Sequence, residues 1–323
     1  MSRRMRGASW ALLLMAACSD DAPSVLEPAG PGARRIEGLW WLMFWISLVV
    51  FVVVVALLIV ALLRRTKEAA VDRSEVRWGE PFIIVAGVVI PAIVLSSVYV
   101  IALNDMNELA AHGDDAGTTI EVIGHDWWWE VVYANGAVTA NEIHIPAGEP
   151  VRVELSTDDV IHSFWVPELQ VKIDMNPGET NDLWLEADEP GRYRGQCAEY
   201  CGLQHAKMIF YVVAEPRAEF DQWLANEAEP AAADDLGQQV FLNSTCVGCH
   251  AIRGTDATAE VGPDLTHLAA RETIASGVLP NTRSSLARWI TDPQSVKPGA
   301  TMPPTELAGD ELEALLDYLS GLD

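Results

Sequence analysis

The chain has 323 residues, half of them hydrophobic, and a formal net charge of −25 at pH 7. That length accommodates about two domains, and an acid excess of this size excludes nucleic acid as a partner, because a polyanion would be repelled. The apolar residues are gathered into blocks, so composition divides the sequence before any motif is read.

The first block, "MSRRMRGASWALLLMAAC", places basic residues before a short apolar run that ends in small residues and Cys18. It is too short to cross a bilayer and predicts an export leader over residues 1–18. Small residues before a cysteine resemble a bacterial lipoprotein cleavage box, which makes Cys18 a candidate for lipidation. Residues 39–63 carry no charge over 25 positions, enough helix to extend roughly 37 Å and cross a hydrocarbon core. A second uncharged run, Pro81 to Leu103, contains Pro91, which a membrane helix tolerates when neighbours satisfy the freed backbone. Together, residues 38–103 predict a two-helix transmembrane hairpin. The intervening loop holds Arg64, Arg65, Lys67, Arg73 and Arg77, so the positive-inside rule puts it in the cytoplasm and everything after Leu103 outside.

The exported part contains 38 acidic and 11 basic side chains. Such a surface attracts a basic protein and speeds the encounter at low salt; solubility or adaptation to salt explains the same composition. Residues 118–213 alternate Val, Ile, Thr and aromatics between Gly, Pro and Asn turns, as in "TTIEVIGHDWWWEVVY" and "VRVELST", the pattern of an all-β sandwich or barrel. Residues 214–233 run from a helical piece into an Ala, Pro and acid-rich linker. Residues 234–323 read as helical, with apolar spacing in "LGQQVFLN", "SSLARWI" and "DELEALLDYL".

Two motifs carry chemistry. "CAEYCGLQHAKM" packs Cys197, Cys201, His205 and Met208 into twelve positions of a protein with five cysteines. Two thiolates, an imidazole and a thioether form a soft set that suits copper, and two thiolates spaced in this way can bridge two metals. A second histidine must come from elsewhere, and "DDVIHSFWVPEL" offers His162 beside an apolar turn; His112, His125, His144 and His267 lack such a setting. A disulfide between Cys197 and Cys201 is the competing reading for an exported protein, as is a zinc site shared with the later cysteines. The disulfide explains neither His205 nor Met208 at ligand spacing.

The second motif, "CVGCH", spans Cys246 to His250. In an exported protein the C-x-x-C-H run reads as covalent haem attachment, with thioethers from Cys246 and Cys249 and His250 as the proximal ligand. Met302 is the one methionine that follows the motif, which makes it the expected sixth ligand, with His267 the competitor.

On these residues the protein resembles two families. "IHSFWVPEL" followed by "CAEYCGLQHAKM" is similar to subunit II of the haem-copper oxidases, a resemblance that covers roughly residues 38–213 and implies a cupredoxin-like Greek-key barrel holding the binuclear copper centre Cu-A. It implies side-chain ligands His162, Cys197, Cys201, His205 and Met208, the backbone carbonyl of Glu199 as a further ligand, and a magnesium shared with the catalytic subunit through the Glu199 carboxylate. The family's aromatic cluster after Gly-His falls on "GHDWWWE", which puts electron entrance at Trp127, beside Trp128 where the family usually has Tyr. Residues 234–323 resemble an all-α class I cytochrome c domain: Val240 and Phe241 precede the haem motif, "GPDL" from Gly262 supports the proximal histidine, and Leu315, Leu316 and Tyr318 lie on the last helix. The implied partners are a catalytic oxidase subunit, a cytochrome c-type donor and the lipid bilayer. A subunit of a nitric oxide reductase and a free-standing membrane-tethered electron carrier are the alternatives.

Overall fold

The computed structural model describes residues 23–63, 79–110, 117–231, 236–307 and 309–323. The leader, Cys18 and the five basic loop residues lie outside these. Helix α1 (Pro31–Leu63) is followed by α2 (Gly79–Ile84), which runs through a π turn (Val85–Val89) into α3 (Ile90–Ala110). Two helical stretches, Pro31–Leu63 and Gly79–Leu109, are long and apolar enough to cross a membrane. The π turn has a cause in the sequence. Pro91 has no N–H and its ring crowds the carbonyl one turn back, so the ladder takes up an extra residue and Ile90 N–H donates to the carbonyl of Val85. At the other end the helices meet through Arg35, which pairs with Glu108 at 3.2 Å and Asp105 at 3.7 Å.

The β unit stacks two five-stranded sheets. One has the order β3 (Val138–Ala140), β2 (Trp128–Tyr133), β1 (Thr119–His125), β5 (Val151–Thr157) and β8 (Asn181–Leu185). The other has β4 (Glu142–Pro146), β10 (Ile209–Glu215), β9 (Gly191–Cys197), β6 (His162–Trp165) and β7 (Ile173–Met175). In β5, "VRVELST" alternates buried and half-buried residues along its whole length, the period-2 signature of one face on a core. Pairing is mixed: β1 and β5 run parallel, as do β4 and β10, while β9 is antiparallel to β10. The backbone passes from one sheet to the other at Asn141, where φ is +62° and the side chain accepts a hydrogen bond from Trp129 N–H at 3.0 Å. Asparagine tolerates that left-handed conformation better than most residues. Trp129, Phe164 and Phe210 fill the space between the sheets, and Gly195 makes room for Phe210, since a Cβ there would lie 2.2 Å from its ring. Helix α4 (Arg217–Glu227) closes one edge, with Phe220 buried in this core and Trp223 stacked on His144 at 3.9 Å.

The C-terminal unit contains α5 (Leu236–Asn243), a short hairpin of β11 (Thr273–Ile274) and β12 (Leu279–Pro280), α6 (Arg283–Thr291), α7 (Pro293–Val296) and α8 (Asp310–Ser320). Thr282 and Asp292 cap α6 and α7 through their side chains. Helix α5 crosses α8 at Gly237, where a Cβ would lie 2.2 Å from the carbonyl oxygen of Ala314. Phe241, Leu286, Ile290, Leu315 and Tyr318 form a core of their own.

Candidate copper and haem centres

The ligand-rich loop joins two paired strands. Because β9 and β10 are neighbours, with Ile209 opposite Gln196, the loop ends are held together, and Cys197 N–H donates to the carbonyl of Met208 at 3.0 Å. Cys197, Cys201 and Met208 are buried there. The Cys197 and Cys201 sulfurs lie 3.8 Å apart, and both cysteines are free. Around them stand His162 Nδ1 at 3.9 Å from Cys197 Sγ, His205 Nδ1 at 3.7 Å and Met208 Sδ at 3.9 Å from Cys201 Sγ, and the Glu199 carbonyl at 3.2 Å from Cys197 Sγ. The structure thus brings together all six predicted positions, contributed by two strands and one loop.

His162 enters from β6, and Gly124 makes room for its ring. Its Nε2–H donates to Asp159 at 2.8 Å, which leaves Nδ1 for a metal. Burial opposes a charge on this imidazole, but the hydrogen bonds to Asp159 and Cys197 outweigh it and raise its pKa to about 9. The Cys201–Cys197 hydrogen bond, aided by His162 against burial, favours the thiolate at Cys197; the same contact, with burial, holds Cys201 as the thiol. The residues fit copper by donor chemistry: nitrogen, thiolate and thioether around one buried point.

In the C-terminal unit, Cys246, Cys249, His250 and Met302 all line one largely apolar cavity of about 220 Å³. Ser244 caps the short 3₁₀ turn (Thr245–Gly248) that carries Cys246 and leads into Cys249. His250 Nδ1–H donates to the carbonyl of Pro263 at 2.7 Å, fixing the tautomer with Nε2 free, and Gly262 lies flat against the ring. Burial, against that hydrogen bond, lowers the His250 pKa and keeps it neutral, as a metal ligand must be. Buried Arg271 lines the same cavity, and its Nε has no partner among the described residues, so the wall suits a flat apolar group bearing carboxylates, as haem does. His267 is turned away: its Nε2–H donates to the carbonyl of Glu229 at 3.0 Å and it does not line the cavity.

The three consecutive tryptophans have three different settings. Trp129 is core. Trp128 lines the C-terminal cavity and stacks on His125 at 4.4 Å, which Glu130 holds at 3.1 Å. Trp127 lines the same cavity and donates through Nε1 to the Cys201 carbonyl at 2.8 Å. Sequence reading missed Asp159 behind His162 and His125 beneath Trp128. The sole available sign of either was proximity along the sequence to a predicted site residue.

A membrane-anchored protein that holds a copper cage in a β unit and a haem cavity in a helical one is an electron-transfer protein. A family model of the cytochrome c oxidase subunit II periplasmic domain matches residues 135–215, and one of cytochrome c matches residues 235–323. Cytochrome c oxidase subunit 2 of Alkalihalophilus pseudofirmus is 38% identical over 96% of this chain and 94% of its own length. That of Bacillus subtilis is 31% identical over 96% and 94%, and that of a Bacillus species 34% identical over 68% and 65%. The chain belongs to the cytochrome c oxidase subunit 2 family, in its form with a C-terminal cytochrome c domain, and is the subunit through which electrons enter a haem-copper oxidase. The two domains imply Cu-A and haem, and the protein works in an oxidase complex with its domains outside the membrane.

Proposed function

We propose that electrons from a cytochrome c-type donor are received by the haem domain and leave through a binuclear copper site toward the haem of a catalytic subunit that reduces oxygen to water. When bound, the two cofactors supply reversible one-electron chemistry. Cys246, Cys249, His250 and Met302 would hold haem c, the cysteines through thioethers. His162, Cys197, Cys201, His205, Met208 and the Glu199 carbonyl would hold the two coppers. The carboxylate of Glu199, which accepts from Tyr200 N–H at 3.1 Å, would reach a magnesium at the joint with the catalytic subunit. The hairpin would place the protein in a bacterial cytoplasmic membrane with both domains on the periplasmic side.

The observation that carries this reading is Trp127, whose ring faces the haem cavity while its N–H holds the carbonyl of a copper-ligand residue. Trp127 is thereby the residue where electrons cross into the β unit, and Trp128 extends the same aromatic wall. A two-sheet scaffold that holds the loop ends together would limit movement of the ligands on electron transfer and so keep reorganisation small.

The test is metal analysis with visible and EPR spectra on the purified full-length protein. Two coppers per molecule with a delocalised mixed-valence signal, beside one low-spin His/Met haem, is the expected result. Haem with a single-copper signal, or with no copper, would overturn it.

A further inference from the structure

The copper and haem units are joined by two buried ionisable side chains, one contributed by each unit. Lys297, at 4% exposure, belongs to the haem unit and donates to the carbonyl of Trp127 in the copper unit at 2.9 Å. Glu142, at 2% exposure, belongs to the copper unit. Its carboxylate accepts from Glu272 N–H at 3.1 Å and from Thr273 at 3.0 Å (N–H) and 2.9 Å (Oγ1) in the haem unit. Lys297 thus reaches the backbone of the copper unit, and Glu142, which Arg192 of its own unit also approaches at 3.6 Å, reaches two backbone N–H groups and a hydroxyl of the haem unit.

The Lys297 side is reinforced from the copper-ligand loop itself. Lys207 donates to the Val296 carbonyl at 2.6 Å and Gln204 to that of Pro298. The segment that leads to Met302 is thus tied to the segment that carries His205 and Met208. Burying a lysine and a glutamate is costly unless each is fully bonded, and an apolar contact of the same area would hold the units together without fixing their rotation. Electron transfer falls off exponentially with separation, so a fixed pose matters more here than affinity does.

We infer that Lys297 and Glu142 are positioning residues that lock the haem cavity against Trp127, so that transfer from haem to copper proceeds from a single docked geometry rather than from a tethered domain that docks and leaves. This rests on the haem-to-copper relay proposed above.

The experiment is flash photoreduction of haem c in the assembled oxidase, following haem reoxidation and copper reduction, in wild type, Lys297→Met, Lys297→Arg and Glu142→Gln. In wild type a single exponential is expected. In Lys297→Met and Glu142→Gln the rate falls at least about tenfold and splits into several phases, while haem and copper spectra and potentials stay unchanged; Lys297→Arg restores most of the rate. Dipolar EPR between oxidised haem and copper reads the same event as a broadened distance distribution. Wild-type single-phase kinetics in both Lys297→Met and Glu142→Gln would overturn the inference with the relay intact. Reoxidation of wild-type haem without copper reduction would instead overturn the relay, and the inference with it. The two variants remove different contacts between the units, so misfolding of one leaves the other to decide.

Discussion

The indole N–H of Trp127 donates to the carbonyl oxygen of Cys201 over 2.8 Å. In Trp127→Phe the ring stays aromatic but this carbonyl loses its partner, at a cost of about 1–3 kcal/mol. Transfer between the two centres is expected to slow by about tenfold or more, with the copper EPR signal retained. Flash photoreduction checks the rate, and an unchanged rate would remove Trp127 from the path.

Copper uptake by the metal-free protein should depend on pH through His162. Its pKa is raised to about 9 by the hydrogen bonds to Asp159 and Cys197, against burial. Below that value a proton must leave before Nδ1 can ligate, so affinity rises with pH and this contribution levels off above about 9. Cys201, held as the thiol, gives up a second proton. Calorimetry in buffers of different ionisation heat at pH 7 should find about two protons released on loading.

Asp159→Asn separates two effects of one contact. Removal of the carboxylate lowers the His162 pKa, which moves the pH midpoint of uptake downward. The ring also loses its anchor, so affinity at high pH falls by about 10–100-fold. A competition titration across pH reads both, and a midpoint that stays in place would mean that Asp159 does not set the imidazole's charge.

Met302→Leu should convert the haem from low to high spin and lower its potential, because the thioether that stabilises the reduced iron is gone. His267→Ala should leave the spectrum unchanged, since that ring bonds the Glu229 carbonyl outside the cavity. Visible spectra of the two variants, recorded reduced and oxidised, distinguish the competing sixth ligands.

Gly237→Val tests the crossing of α5 and α8. Its side chain would have to displace the Ala314 carbonyl and Tyr318 Cβ, an overpacking that costs about 1–3 kcal/mol. The haem-domain melting transition should fall accordingly, and covalent haem incorporation with it.

The clustering of the candidate copper-site positions was legible because five of the six lie within a dozen residues and the sixth beside a distinctive apolar turn, and that of the candidate haem-site positions because attachment chemistry imposes its own spacing. The membrane helices were legible from 25 uncharged positions. Glu142 and Lys297 were not. Glu142 lies on a strand reading "EIHIP" and Lys297 in "SVKPG", and each acquires meaning only when a segment about 130 or 170 residues away folds against it. Asp159 looked like one more acid in an acid-rich sequence until His162 turned its Nε2 toward it. The role of α4 was hidden for a related reason: "RAEFDQWLANE" is too polar to announce a packed face, yet Phe220 enters the β core and Trp223 covers His144.

The cover that the haem domain lays over Trp127 changes the kinetic order of the reaction. A copper domain that met a soluble carrier at this spot would receive electrons at a rate set by carrier concentration and ionic strength. In the relay proposed above the carrier is part of the same polypeptide, so the second step would be first order. Dilution and added salt should slow only the arrival of electrons at the outer domain, and the acidic surface acts on that arrival alone.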